Sequence, residues 1–302
     1  MRRRASAGFL LWLAVTAPAG ADGDVPRQGE YLFRAAGCAG CHTDTDNQGA
    51  PLAGGRALHT PFGVFYTSNI TPDPDTGIGR WSENDFVRAL REGISPRGEH
   101  YYPAFPYTSY TQLSDADLHA MWTWLRGLKP VRQVNKPHAL PWYLRWRATL
   151  NVWKWMFFDP GPYQPQADKP PAWNRGAYLA NAVTHCAECH TPRNLLGGLK
   201  RSRWLAGNRD GVDDAKIPNI TPDRKTGIGR WSESDIAAYL ETGMTPDGDF
   251  AGDAMAEVID NSTSHLSADD RRAIAIYIKS LPAVEQAIRK EKKKKSEQDE
   301  FL

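Results

Sequence analysis

The feature that most constrains this chain is a pentapeptide that occurs twice, as Cys38-Ala39-Gly40-Cys41-His42 and as Cys186-Ala187-Glu188-Cys189-His190. Two thiols three residues apart with a histidine directly behind them form the attachment sequence for a c-type haem. Both sulfurs add across haem vinyl groups, and the adjacent imidazole is left under the iron as proximal ligand. The two copies use all four cysteines of the 302 residues. Cys38, Cys41, Cys186 and Cys189 are therefore expected to carry two covalent haems, with His42 and His190 on the irons. The alternative is a structural zinc or a pair of disulfides, for which four cysteines leave three pairings open. The histidine behind each pair, the shared context of the copies and an export signal ahead of them favour haem.

That signal is read from Met1-Arg2-Arg3-Arg4, a basic start, the apolar run from Gly8 to Val15, and the small residues Ala19-Gly20-Ala21 before Asp22. The apolar run is short for a bilayer span, so residues 1–21 are expected to be cleaved, leaving the chain in the periplasm. A formal net charge of +2 gives no reason to expect a nucleic-acid partner. The eleven tryptophans suit haem pockets, which need flat apolar walls.

The fold is constrained by a longer repeat. Asn69-Ile70-Thr71-Pro72-Asp73 and Thr76 to Glu83 recur 150 residues later as Asn219 to Asp223 and Thr226 to Glu233. Gly29-Glu30-Tyr31-Leu32 answers Gly176-Ala177-Tyr178-Leu179, and Leu113 to Asp117 answers Leu266 to Asp270, in the same order in both halves. The expectation is an all-α protein of two tandem cytochrome c domains, at 22–130 and 173–284. An aromatic, proline-rich connector (131–172) joins them, and a charged, disordered tail (285–302) follows. In each half a glycine-bearing helix precedes the motif, Gly29 letting another helix approach closely. Ser82 opens a short helix, and Ser114 or Ser267 caps a closing one with Asp117 or Asp270 at the third position. Leu118, Met121, Trp122 and Leu125 form one apolar face of that closing helix, whereas Arg271 stands where the second half should repeat Leu118. The connector, from Pro141 to Phe158, is expected to hold a short helix packed across both halves. Its other reading is a docking surface for a partner or a membrane interface.

With these residues the chain resembles the dihaem cytochrome c proteins that accept electrons from periplasmic dehydrogenases, such as the cytochrome c subunits of alcohol and gluconate dehydrogenases. The resemblance rests on both CxxCH motifs, both NITPD and TGIGRWSE segments, the run from Tyr102 to Tyr110 and the run from Gly252 to Val258. It implies a periplasmic dehydrogenase and a downstream respiratory acceptor as partners, and leaves peripheral membrane association open. Those subunits typically carry a third haem domain and a membrane-binding end, whereas two haem domains and no such end are expected here.

The resemblance also implies a sixth ligand for each iron. Met255 lies in the segment where the family places its methionine, a thioether that raises the potential; Met244 nearby sits in a turn. In the first half Phe105 stands where the family's methionine would be, and phenylalanine cannot bind iron. His100, just upstream, is the candidate replacement, with an open or water-bound iron as its rival. Met121, Met156, His59, His119 and His138 have ordinary packing or solvated roles. An open first iron would favour an enzyme of peroxidase or thiosulfate-dehydrogenase type over a carrier. The absence of a nucleophile, acid–base pair or second metal motif favours the carrier.

Overall fold

The computed structural model describes residues 24–288. The export signal expected at 1–21 lies outside the described residues, as does the tail from residue 289.

The chain is mainly helical and its halves follow one plan. Helix α1 (Asp24–Ala35) leads into the first motif, itself a short helix α2 (Cys38–His42), and a loop leads on to α3 (Glu83–Glu92), α4 (Tyr107–Tyr110) and the closing helix α5 (Asp115–Arg126). After the connector helix α6 (Thr149–Phe157), the second half repeats with α7 (Pro171–Tyr178), α8 (Cys186–His190), α9 (Glu233–Thr242), α10 (Asp253–Asn261) and α11 (Ala268–Lys279). A π-helical turn over Leu179–Val183 carries α7 toward α8.

The all-α expectation needs one correction. Strands β1 (Ala57–Thr60) and β2 (Gly63–Tyr66) pair antiparallel, and Val64 bridges on to Ala139. Leu58, Val64, Phe65 and Tyr66 have strand-favouring or apolar side chains. Gly63 supplies a φ of +119° at the turn. The hairpin lies inside a stretch whose glycines and prolines otherwise make it look like loop.

Local chemistry sets the helix ends. Ser82 and Ser232 form full capping boxes with Asp85 and Asp235, and α3 and α9 both end on a left-handed glycine, Gly93 or Gly243. The glycine expected to admit a close helix crossing does so twice. A Cβ on Gly29 would stand 2.0 Å from the carbonyl oxygen of Ala120 on α5, and one on Gly176 would stand 1.9 Å from that of Ala273 on α11. Leu118, Met121 and Leu125 are fully buried behind α1, and Ile274 and Ile278 behind α7.

Arg271, the exception in the apolar stripe, is buried because it does the work of another arginine. In the first half Arg91, at the end of α3, donates to the carbonyls of Thr111 (2.9 Å) and Leu113 (3.0 Å). In the second half Glu241 holds the position of Arg91, and Arg271 donates to the equivalent carbonyls of Ser264 and Leu266 while pairing with Glu241. The guanidinium has moved from one helix to the other, and the carbonyls it satisfies have stayed.

The connector begins as part of the first half. Val131 accepts from Asn69 and Thr71, just as Val284 accepts from Asn219 and Thr221. Gln133 and Gln286 both donate their backbone N–H to the threonine of the repeat, Thr76 or Thr226. The second half therefore keeps its hydrogen-bonded frame past residue 284. Helix α6 touches both halves: buried Lys154 donates to the carbonyls of Glu92 and Gly93, and Trp153 donates to that of Leu196.

Candidate haem-attachment sites

His42 ends α2 and His190 ends α8. The Nδ1 of His42 lies 2.7 Å from the carbonyl oxygen of Ser68, and that of His190 lies 2.8 Å from the carbonyl oxygen of Pro218. A carbonyl can only accept, so each Nδ1 carries the proton and each Nε2 keeps its lone pair for another partner. Burial lowers the pKa of both rings, an effect the carbonyl contacts partly offset, and this favours the neutral form that ligates metal. The histidine backbones are held as well, by N–H donation from Gly54 to His42 (2.7 Å) and from Gly207 to His190 (2.6 Å).

The repeated NITPD segment explains why those carbonyls are in place. Ser68 and Pro218 directly precede Asn69 and Asn219, which are almost fully buried. Each asparagine accepts from the backbone and hydroxyl of Thr71 or Thr221 and donates to Thr76 or Thr226 and to a valine carbonyl. A Cβ on Gly77 or Gly227 would fall within 2.3 Å of the carbonyl oxygen of Thr71 or Thr221, so the loop closes on its own backbone. This saturated loop fixes a carbonyl beneath each imidazole, the kind of outer hydrogen bond that sets ring orientation at a metal.

All four cysteines are free, and among the described residues no group of three or more His, Cys, Asp or Glu side chains gathers as a metal cluster would. Two thiols and one imidazole at each motif are the donors that thioether attachment and a single proximal ligand require.

The candidate sixth ligands sit on segments with a shared beginning. Gly93 and Gly243 accept from the N–H of Tyr101 and Ala251, and the bridges Ile94–His100 and Met244–Phe250 match. Counting from that turn, Phe105 is four residues past Tyr101 and Met255 four past Ala251. Met255, on α10, is partly buried against the core, while Met244 is half-exposed. Phe105 is ringed by Tyr101, Tyr107 and Tyr110. His100 corresponds to Phe250, which is 68% exposed, so this turn position faces outward in the second half. In the first half the connector covers it: Arg147 donates to the His100 carbonyl (2.6 Å). The His100 ring has its pKa lowered by burial and by the charge of Lys154, and its Nδ1 is buried without a partner among the described residues. Met121 is core, Met156 lies half-exposed on α6, His119 pairs with Glu83 at 2.8 Å, and His138 accepts from the Tyr66 N–H.

Several residues at the sites gave no signal in the sequence. Each attachment helix is gripped by the other half. Glu188, inside the second motif, accepts from Thr108 (2.5 Å) and Ser109 (3.0 Å) on α4 and from Arg193 (2.6 Å). Arg56 joins the Gly40 carbonyl of the first motif to Glu257 on α10, two residues from Met255. His185, the residue before Cys186, adopts a left-handed φ of +40° where the first half has Gly37. Its Nε2 lies 3.2 Å from the carbonyl of Ala36, and its ring meets that of Tyr110. A charge between two attachment cysteines could have been flagged, since a buried carboxylate needs partners. Nothing in the sequence indicates that those partners lie in the other half.

A helical frame that presents two CxxCH helices with oriented imidazoles defines a protein of the haem-c-binding class. Comparison with known proteins agrees. Residues 27–129 match the cytochrome c family model. The chain is 46% identical over 270 residues to a diheme cytochrome c-type protein of Cereibacter sphaeroides, covering 88% of this chain and 89% of that one. It is 40% identical to the gluconate 2-dehydrogenase cytochrome c subunit of Pantoea cypripedii, covering 85% of this chain and 59% of that subunit. It is 41% identical to the cytochrome c subunit of the quinone alcohol dehydrogenase of Gluconobacter oxydans, covering 87% and 56% respectively. The chain belongs to the dihaem c-type cytochromes. It spans little more than half the length of these two dehydrogenase subunits.

Proposed function

We propose that this protein is a periplasmic electron carrier that takes electrons from a partner dehydrogenase and delivers them to a respiratory acceptor. The observation that carries the reading is the matched pair of imidazoles, His42 on Ser68 and His190 on Pro218, each with its Nε2 left available beside an attachment pair of thiols. Relatives named as cytochrome subunits of gluconate and alcohol dehydrogenases support a dehydrogenase as the donor.

In this reading Cys38 and Cys41 hold one haem and Cys186 and Cys189 the other. Bound haem iron supplies one-electron oxidation and reduction, which no side chain here supplies alone. The protein's part is to hold each imidazole neutral and oriented and to tie each attachment motif to the opposite half through Glu188, Arg56 and His185. Met255 is the proposed sixth ligand in the second half and His100 the candidate in the first.

One observation favours a second reading. Phe105 occupies the position that Met255 occupies in the other half, so the first iron is open unless His100 or another group reaches it. An open iron would suit a dihaem enzyme acting on peroxide or a sulfur compound. The test is a haem stoichiometry on the purified holoprotein, with the electron paramagnetic resonance spectrum of its oxidised form. Two haems per chain, both low-spin, are expected of the carrier. A high-spin haem that Phe105→Met converts to low-spin would put the enzyme first, and one haem or none would overturn both readings.

A further inference from the structure

The connector carries a group of aromatic side chains that none of the described residues covers. Trp142, Trp146 and Trp155 are 82%, 71% and 84% exposed, and Tyr143 lies beside Trp142 with its ring edge-on. On α6 the exposed residues Val152, Trp155 and Met156 fall at i, i+3 and i+4 and form one outward stripe. The hydrogen bond from Trp153 to Leu196 brings the loop tip of Leu195 and Leu196 alongside, and Leu195 is 97% exposed. Exposed apolar surface of this kind marks an interaction site.

We propose that this face seats the protein on an anionic phospholipid surface. Charge is the first argument. From Lys129 to Phe158 the sequence has six lysines and arginines and no aspartate or glutamate, although the whole chain is nearly neutral. Lys154 and Arg147 are used internally; Lys129, Arg132, Lys136 and Arg145 are exposed, although Lys136 also reaches the Gly55 carbonyl and the Asp44 carboxylate, and Arg145 the Leu140 carbonyl. Lys200, Arg201 and Arg203 follow on the neighbouring loop, where the carboxylate of Asp159 comes within 3.9 Å of Arg201. Basic residues interleaved with tryptophan and tyrosine match a layer of negative headgroups above acyl chains.

Shape is the second argument. These side chains stand out singly from a helix face and a loop tip. A protein partner would need a pocket for each, whereas lipid yields around any protruding indole. Among the described residues no helix is long and apolar enough to cross a membrane, and the proposed contact is a peripheral one. Vesicle binding is read without turnover, so the inference stands apart from the electron-transfer reading.

The experiment is co-sedimentation of the full-length mature holoprotein with vesicles of phosphatidylglycerol and phosphatidylcholine in equal parts, and with phosphatidylcholine alone. Binding to the anionic vesicles that weakens with added salt is expected. Trp142→Ser/Trp146→Ser/Trp155→Ser should lower the partition coefficient at least about tenfold with haem content unchanged. If the triple variant fails to fold, Leu195→Ser with Trp155→Ser tests the same face and should show a smaller loss. No binding to either vesicle, or equal binding by the variants, overturns the proposal. So does loss of binding on changing Lys292–Lys295 to Gln with the tryptophans intact, which would place the contact in the tail. A tryptophan variant that binds vesicles normally but no longer accepts electrons from its dehydrogenase would make the face a protein-docking surface instead.

Discussion

The hydroxyl of Tyr178, on α7, donates to the carboxylate of Asp117 at the start of α5, and accepts from the N–H of Ser114 at 3.2 Å. A serine N-cap with an acid at the third helical position normally closes a box, the carboxylate bonding the cap's own N–H. Here the serine side chain makes its half of that box, and a tyrosine from the other half of the chain is inserted into the return path. Tyr31 does the same in reverse, donating to Asp270 and accepting from Ser267 at 3.1 Å. Each closing helix is thus capped by a residue of the opposite repeat.

The two exchanges are unequal, and this gives a first prediction. Asp270 is also gripped by Arg175, through Nε at 2.8 Å and Nη2 at 2.7 Å, whereas Gln28 holds the matching place in the first half. Tyr178→Phe should cost about 1–3 kcal/mol, because a partly buried carboxylate and an N–H lose their partner together. Tyr31→Phe should cost less, because Arg175 still holds the carboxylate. Chemical denaturation of the two variants checks the order, and equal losses would contradict it.

A second prediction concerns acid. Burial alone would raise the pKa of Asp270, but hydrogen bonds from Arg175 and Tyr31 outweigh it and leave the folded value below the ordinary 3.8. A depressed carboxylate adds stability that is complete above the unfolded pKa and is lost as pH falls through the folded one. Asp270→Asn should therefore destabilise the protein at pH 7, and the gap from wild type should narrow as pH falls below about 4. Melting temperatures across that range measure it.

The helix crossings supply a third. Gly29→Ala or Gly176→Ala puts a methyl into a backbone carbonyl of the facing helix and should cost about 2–3 kcal/mol or more. Gly98→Ala meets nothing within 4 Å and pays only for its φ of +82°, roughly 1 kcal/mol. Thermal unfolding should separate the classes clearly. Similar losses at Gly29 and Gly98 would mean that the crossing relaxes.

The relocated arginine gives a fourth. Arg271→Leu reproduces Leu118 of the first half but leaves the carbonyls of Ser264 and Leu266 without their donor, at a cost of about 1–3 kcal/mol. Adding Glu241→Arg, in the manner of Arg91, should restore most of that stability. The coupling in a double-mutant cycle is the readout, and simple additivity would argue against the exchange.

Much of this was legible in the sequence because the repeat states it twice. The CxxCH motifs, the serine caps, the crossing at Gly29 and the apolar stripe of the closing helix all depend on residues near one another in the chain, where spacing carries the geometry. The hairpin at Ala57–Tyr66 was hidden because its strands are four residues each, too short to show a period among glycines and prolines. Arg271 looked like a defect in a stripe, since the carbonyls it serves carry no side-chain signature. Glu188, Arg56 and Tyr178 could not be assigned for another reason. Their partners lie far along the chain, and charge or hydroxyl chemistry alone does not say which distant group completes it. The connector showed its aromatic content but not its orientation, since an all-apolar helix suggests burial and this one turns Val152 and Trp155 to solvent.

The crossed tyrosines also make the end of each closing helix a property of both repeats. Tyr178, from the second repeat, completes the cap of α5, and Tyr31, from the first, completes that of α11. Disorder in one half therefore removes a partner from a helix end in the other, so damage is felt across the repeat boundary as a loosened cap.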